Sequence, residues 1–275
     1  MTMTFSLHDS IGPDTCAESS EPGFPTLSRT AEKTKQDMHI LEYKIKTPDS
    51  GILVERTRID SLLARSVSQF PATLVSGRAG TGKTAVAEHF SAKFNKVAWY
   101  SVESTDTSWP VFSNYFSASL HGSDDPMCQQ KNARVDVDQG EIAKFLLRNF
   151  TGLCGANARE KTLIVLDDVH HVFDSPWFDN FFNLLILSLP AYTHLLLLCR
   201  SKPPSPLWRL RSKQMLNVLD EKVIAFNASE TEALLESMAL PASRAKDIQR
   251  QAFGRVSKIL QLSEDQCSNL PAPLV

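Results

Sequence analysis

The apolar run Ala72-Thr73-Leu74-Val75 is followed, with only Ser76 between, by Gly77-Arg78-Ala79-Gly80-Thr81-Gly82-Lys83-Thr84. Ala85-Val86-Ala87-Glu88-His89-Phe90 then continues with amphipathic helical spacing. This order narrows the fold sharply, because a buried strand must deliver the loop and a helix must leave it. Backbone N–H groups and the positive helix end then converge on one point, which makes a cradle for phosphate oxygens. Gly77, Gly80 and Gly82 permit a backbone that closes around a triphosphate at van der Waals distance. The eight residues satisfy G-x-x-x-x-G-K-[ST] in full. Gly77, Arg78, Ala79, Gly80, Thr81, Gly82, Lys83 and Thr84 are therefore the expected nucleotide-binding residues. Lys83 supplies a point charge for the β- and γ-phosphates. The Thr84 hydroxyl is a hard oxygen suited to Mg²⁺, which keeps most of its waters and takes few protein ligands.

A phosphate loop that supports hydrolysis needs a carboxylate further along the chain. Thr162-Leu163-Ile164-Val165-Leu166 reads as a strand buried on both faces, and it ends in Asp167-Asp168. Carboxylates at the carboxyl end of a parallel strand lie at the crevice where open α/β sheets bind ligands. On this reading Asp167 holds Mg²⁺ and Asp168 polarises an attacking water. The competing reading is that the pair caps a following helix. Thr193 to Cys199 is a further buried strand and ends in Arg200. Arg200 is either a sensor of the γ-phosphate or a cation solvated at a strand end.

With Lys96 to Val102 and Val223 to Phe226, five strands alternate with helical segments. The predicted class is α/β, a five-stranded parallel P-loop NTPase sheet covered by helices on both faces and followed by a short helical segment. Residues 1–43, rich in Ser, Thr, Pro and charge, read as a mobile tail; 44–227 form the nucleotide-binding domain and 228–275 part of a helical one. Phe181 to Cys199 is the most apolar stretch, but Pro190 interrupts it, so it divides into a helix from about Trp177 to Leu189 and the strand from Thr193.

The 29 basic and 31 acidic residues give a formal net charge of −2, which provides no global attraction to nucleic acid or an anionic membrane. The five cysteines, Cys16, Cys128, Cys154, Cys199 and Cys267, include no C-x-x-C pair, and no basic-then-apolar leader opens the chain. A cytoplasmic protein with reduced thiols is expected. His170-His171 with Cys199 lacks four-ligand spacing and reads as structural. Arg209, Arg211 and Lys213 read as a solvated helix face, Asn227 to Glu230 as a helix start, and Trp109, Phe112, Phe116 and Leu120 as a helix's core face.

Several strings together resemble a known family. Gly77 to Thr84, Leu166-Asp167-Asp168-Val169-His170, and His194 through Pro204 to Leu210-Arg211 resemble the nucleotide-binding domain of MalT-type regulators, the large LuxR-type activators within the STAND class of signal-transduction ATPases. Val97 to Val102 with Asp106 and Phe112 resembles that family's tryptophan strand and acidic turn. Lys44 to Pro48 and Leu53-Val54-Glu55-Arg56 resemble the entry segment near the adenine, which makes Arg56 an expected cofactor contact. The resemblance runs from about Lys44 to Leu262.

It implies a switch that holds ADP at rest, exchanges it for ATP with Mg²⁺, self-associates or engages partner regulatory domains, and resets by slow hydrolysis. Lys83, Asp167, Asp168 and Arg200 would be the catalytic set, with Thr84 and Asp167 on the metal. No segment corresponds to the family's winged-helix, helical-repeat or helix-turn-helix units, so a truncated module with no DNA-binding motif and no membrane association is expected. The alternative is a stand-alone P-loop NTPase or phosphotransferase with an acceptor site in Gly122 to Gly140.

Overall fold

A computed structural model describes residues 40–51, 54–123, 137–153, 160–240 and 242–268. Most of the expected tail and most of the Gly122 to Gly140 region lie outside these. In the described part of the tail Ile40 is buried in the main core, whereas Leu41, Glu42 and Tyr43 are exposed, the last two in the short helix α1 (Glu42–Ile45).

One five-stranded sheet organises the described residues. Its strands are β1 (Ala72–Ser76), β2 (Lys96–Ser101), β3 (Thr162–Asp167), β4 (Thr193–Cys199) and β5 (Leu216–Leu219). All neighbours pair in parallel, in the order β2-β3-β4-β1-β5. Ser76 pairs with Cys199 and Ser101 with Asp167, so the strands end together at one edge. The apolar runs follow from burial on both faces. Alternate residues serve different cores: Leu74, Tyr100, Leu166 and Leu197 belong to one, and Val75, Trp99, Val165 and Leu198 to the other.

The first face is covered by α4 (Trp109–His121), α5 (Gln139–Leu153), α6 (Phe178–Leu187) and α7 (Ser205–Ser212). Trp109, Phe112, Phe116 and Leu120 form the buried stripe of α4 that their spacing predicts. On the other face lie α2 (Thr57–Gln69) and α3 (Lys83–Ser91), which contribute Ile59, Leu63, Val86 and Phe90. Lys44 of α1 is buried and donates to Asp106 at 2.8 Å, so α1 is tied to the segment after β2.

The expected fifth strand, Val223 to Phe226, is not a strand. Leu216–Leu219 takes the free edge of β1 instead, and Glu221–Ile224 is the short helix α8. Asp220 is the cause: it adopts extended backbone and its carboxylate accepts from the Val223 N–H, which starts a helical turn where strand propensity alone predicts β structure.

Three further helices, α9 (Ala228–Ser237), α10 (Ala245–Ala252) and α11 (Val256–Ser268), form a separate small core around Phe226, Leu234, Ile248 and Ile259. The chain breaks between α10 and α11, because Phe253 and Gly254 take left-handed backbone at φ 53° and 68°. A Cβ at Gly254 would lie 2.6 Å from the Phe226 carbonyl oxygen, so the break is also a close approach that only glycine fits.

Glu230 fastens this helical unit to the sheet. Its carboxylate completes a capping box with Asn227 at the start of α9 and also receives Arg56 at 3.1 Å and Arg58 at 2.9 Å. Arg58 further donates to the carbonyls of Val223 and Ala225. Burial opposes the Glu230 charge, yet the two arginines hold its carboxyl below the ordinary glutamate value. A depressed folded value stabilises the fold above the unfolded value of about 4.3, and this is lost as pH falls through the folded value. Glu230→Gln is therefore expected to cost about 2 kcal/mol at pH 7, read as faster hydrogen exchange in α9 and a lower denaturation midpoint. The difference from the parent should shrink as pH falls below the ordinary glutamate value and through the folded one.

Candidate functional site

The loop between β1 and α3 turns on two glycines with positive φ, Gly80 at 76° and Gly82 at 84°. Gly82 is the N-cap of α3, so the helix starts at Lys83 with its free N–H groups facing the loop. The Lys83 ammonium donates to the carbonyls of Gly77 at 2.7 Å and Arg78 at 3.1 Å. Burial holds its pKa below the ordinary lysine value, while Asp168 and Asp167 pull the other way. Thr81 is fully buried and its hydroxyl donates to the Arg78 carbonyl. The Arg78 side chain points away from the loop to Glu221, whose carboxylate also accepts from the Arg78 backbone N–H. Arg78 thus contributes to the loop through its backbone.

Asp167 ends β3 directly beside this loop. Its Oδ2 accepts from the Thr84 hydroxyl at 2.8 Å, and its Oδ1 accepts from the Asp168 N–H at 2.8 Å. Burial raises the Asp167 pKa, opposed by the Thr84 hydrogen bond. A buried carboxylate touching a hydroxyl presents two hard oxygens with few competing partners, a donor set that fits Mg²⁺. Asp168 takes left-handed backbone at φ 52°, which is uncommon for a residue with a side chain. It stands at the N-cap of the 3₁₀ turn Val169–Val172 but makes no side-chain capping bond. Its carboxylate instead meets Arg200, which donates from Nε at 2.9 Å and Nη2 at 2.6 Å. Arg200 follows β4, the strand between β1 and β3.

Burial, and then His171, holds the His170 imidazole below its ordinary pKa. Cys199 is buried with its thiol pushed up to about 12, and its Sγ donates to the Ser201 carbonyl.

Behind the loop lies a pocket of about 190 Å³ bounded by Val54, Arg56, Val86, Phe226, Leu234 and Leu260. Both the sheet domain and the helical unit contribute to it. Arg56 is 6% exposed, donates from Nη2 to the Ile224 carbonyl, and stacks 4.1 Å from the Phe226 ring centroid. Its Nε and Nη1 are buried without a partner. Unsatisfied guanidinium donors in an apolar pocket fit a flat, acceptor-bearing group such as a nucleobase.

Sequence reasoning missed three contributors. Asp60 and His89 also line this pocket, 3.1 Å apart, with Glu55 nearby; among the described residues these three form a cluster of metal-ligating type, but Lys93 already donates to Asp60 at 2.8 Å. The start of α11 touches the loop itself, the Ser257 N–H donating to the Gly80 carbonyl at 3.1 Å. Neither contact carries a local sequence signal. Glu230 was legible as a cap but not as the partner of Arg56.

A glycine-rich loop at a helix N-terminus, with a carboxylate at the end of a neighbouring parallel strand, defines a P-loop NTPase, a class that binds nucleotides. The family profile described as AAA ATPase domain matches residues 54–198, and the chain belongs to that family. The HTH-type transcriptional regulator MalT of Serratia proteamaculans (strain 568) is 24% identical over 194 residues, which is 70% of this chain and 21% of that protein. The chain therefore spans about a fifth of the length of this relative. The Walker-type ATPase PABY2304 of Pyrococcus abyssi superposes with a TM-score of 0.50 at 11% identity, over 82% of this chain and 70% of that one, a likeness of fold. No helix among the described residues is long and apolar enough to cross a membrane.

A Cβ added at Gly80 would lie 1.9 Å from Ser257 Oγ and 2.7 Å from its Cβ. Gly80→Ala is expected to lower stability by about 2 kcal/mol, from left-handed strain and from this collision. Ser257→Gly in the same chain should recover about half of that in urea denaturation, whereas strictly additive effects would contradict the contact.

Proposed function

We propose that the chain is the ATP-binding and slowly ATP-hydrolysing switch module of a MalT-like transcriptional regulator, with 44–227 as the nucleotide-binding domain and 228–275 as part of a helical domain closing on it. The observation that carries this reading is the bidentate ion pair between Arg200 and Asp168. It neutralises the carboxylate best placed to polarise water, and it holds back the cation best placed to meet a γ-phosphate. A site arranged in this way is restrained until a γ-phosphate competes for Arg200. Such competition is a differential interaction that biases a two-state arrangement.

In this reading the loop from Gly77 to Thr84 wraps the phosphates with the N–H groups of its Gly80 to Thr84 part, since those of Gly77 and Arg78 are held by Cys199 and Glu221, and Lys83 leaves the loop carbonyls for the β- and γ-oxygens. The base enters the pocket at Arg56. Thr84 and Asp167 would hold Mg²⁺, which supplies charge neutralisation between the phosphates. Asp168, once free of Arg200, orients the attacking water and accepts its proton. Arg200 stabilises the charge on the γ-phosphate. Because Phe226, Leu234 and Leu260 share the base pocket, nucleotide occupancy would set how the helical unit sits, and self-association or engagement of further regulatory domains would follow from that movement. Transcriptional control is carried over from the MalT likeness. A cytoplasmic location belongs to the same proposal.

Isothermal titration with ADP and Mg-ATP tests these assignments. Lys83→Ala should weaken nucleotide binding by about 100-fold or more, and binding at parental affinity would contradict the loop assignment. Asp168→Asn should keep ATP bound and slow phosphate release by about 100-fold. Arg200→Ala should lose the preference for ATP over ADP; an unchanged preference would remove Arg200 from the switch.

A further inference from the structure

A second cleft, of about 500 Å³, opens at the opposite edge of the sheet, where the strands begin. Pro71 precedes β1, Lys161 precedes β3, and His194 lies at the start of β4. The volume is in the range of small-molecule sites. Phe70, Phe90 and Phe94 supply aromatic walls, and Lys93 and Lys161 are the charged members of its described lining, with no carboxylate among them. The cleft therefore pairs an apolar interior with two ammonium groups.

Its most buried polar member is His194, which is 3% exposed. Burial lowers its pKa to about 4, so the imidazole is neutral at pH 7. Asn217 donates its amide N–H to Ser66 Oγ at 2.9 Å, Ser66 Oγ and Thr73 Oγ1 share a hydrogen bond at 2.6 Å, and Thr73 Oγ1 and His194 Nε2 share one at 2.8 Å. The other ring nitrogen, Nδ1, is turned to the Phe70 backbone and closed to solvent. The imidazole is therefore a neutral, fixed wall of the cleft.

We propose that this cleft binds a small aromatic carboxylate, its ring between Phe70, Phe90 and Phe94 and its carboxylate facing Lys161 and Lys93. An aromatic group gains from burial and from edge or stacked contacts with the phenylalanines. The anion gains from Lys161 and from Lys93, whose ammonium also donates to Asp60 outside the lining. The site does not depend on the nucleotide reading, since it uses the other ends of the strands. Only Lys93 connects the two, through its ion pair with Asp60.

The test is titration of the full chain with 2-naphthoate, indole-3-carboxylate and 4-phenylbutyrate, followed by calorimetry and ligand-observed NMR. Saturable 1:1 binding of 2-naphthoate is expected, with neutral 2-naphthamide at least about tenfold weaker. Ala64→Trp, an exposed helix position lining the cleft, should abolish binding, with Ser68→Trp as the substitute if the first variant fails to fold. Lys161→Met should weaken binding about tenfold, whereas Lys161→Arg should retain it. Absence of saturable binding by all three acids up to about 10 mM would overturn the proposal. Equal affinity for acid and amide, or unchanged binding in the tryptophan variant, would do the same.

Discussion

Parallel hydrogen bonding of β4 between β1 and β3 is the constraint on which the rest of the molecule depends. The register places Ser76 opposite Cys199 and Leu166 opposite Leu197, so the segments after β1, β3 and β4 leave the sheet at one edge. The phosphate loop, the Asp167-Asp168 pair and Arg200 meet there because the strands end together. None of these groups is near another in sequence. A one-residue slip of β4 would exchange its two buried faces and leave apolar residues unmatched, so the cores on both sides hold the register that the site needs.

The same edge concentrates charge in a poorly solvated place. Lys83 and Asp167 are both buried, and desolvation pushes each toward its neutral form. They remain tolerable because the loop carbonyls take the ammonium and Thr84 takes the carboxylate. Arg200 and Asp168 satisfy one another in the same way. The helical unit closes on the site through a glutamate bridged to two arginines and through a serine lodged against Gly80. A change in the loop therefore reaches α11 through direct contact. That contact gives the proposed switch a material route from phosphate to domain position.

Much of the fold was legible because central parallel strands have little compositional freedom. Thr193 to Cys199 is a strand over the residues its apolar run predicts, and the breaks at Pro190 and before Ala72 are written in local chemistry. The fifth strand was misplaced because Val223-Ile224 and Leu216 to Leu219 have similar propensity, and an aspartate cap at Asp220 decides between them. The loop residues, Asp167, Asp168 and Arg200 were readable as candidates from motif and strand ends. Their partners were not. The pairing of Arg200 with Asp168, of Arg56 with Glu230 and of Ser257 with Gly80 all join residues more than thirty positions apart, where sequence periodicity holds no information. His194 was read only as part of a strand; its place as a buried, neutral imidazole at the end of a hydroxyl chain emerges only when Thr73 and Ser66 are in view.

The central claim is that this is a nucleotide-retaining switch whose catalytic carboxylate is restrained at rest. It is tested most directly by denaturing the purified chain, identifying the nucleotide released, and following phosphate production with Mg-ATP. Stoichiometric ADP with turnover far below the roughly 1–100 s⁻¹ of kinases is the predicted result. Nucleotide-free protein with rapid multiple turnover, or turnover that depends on an added acceptor, would contradict it.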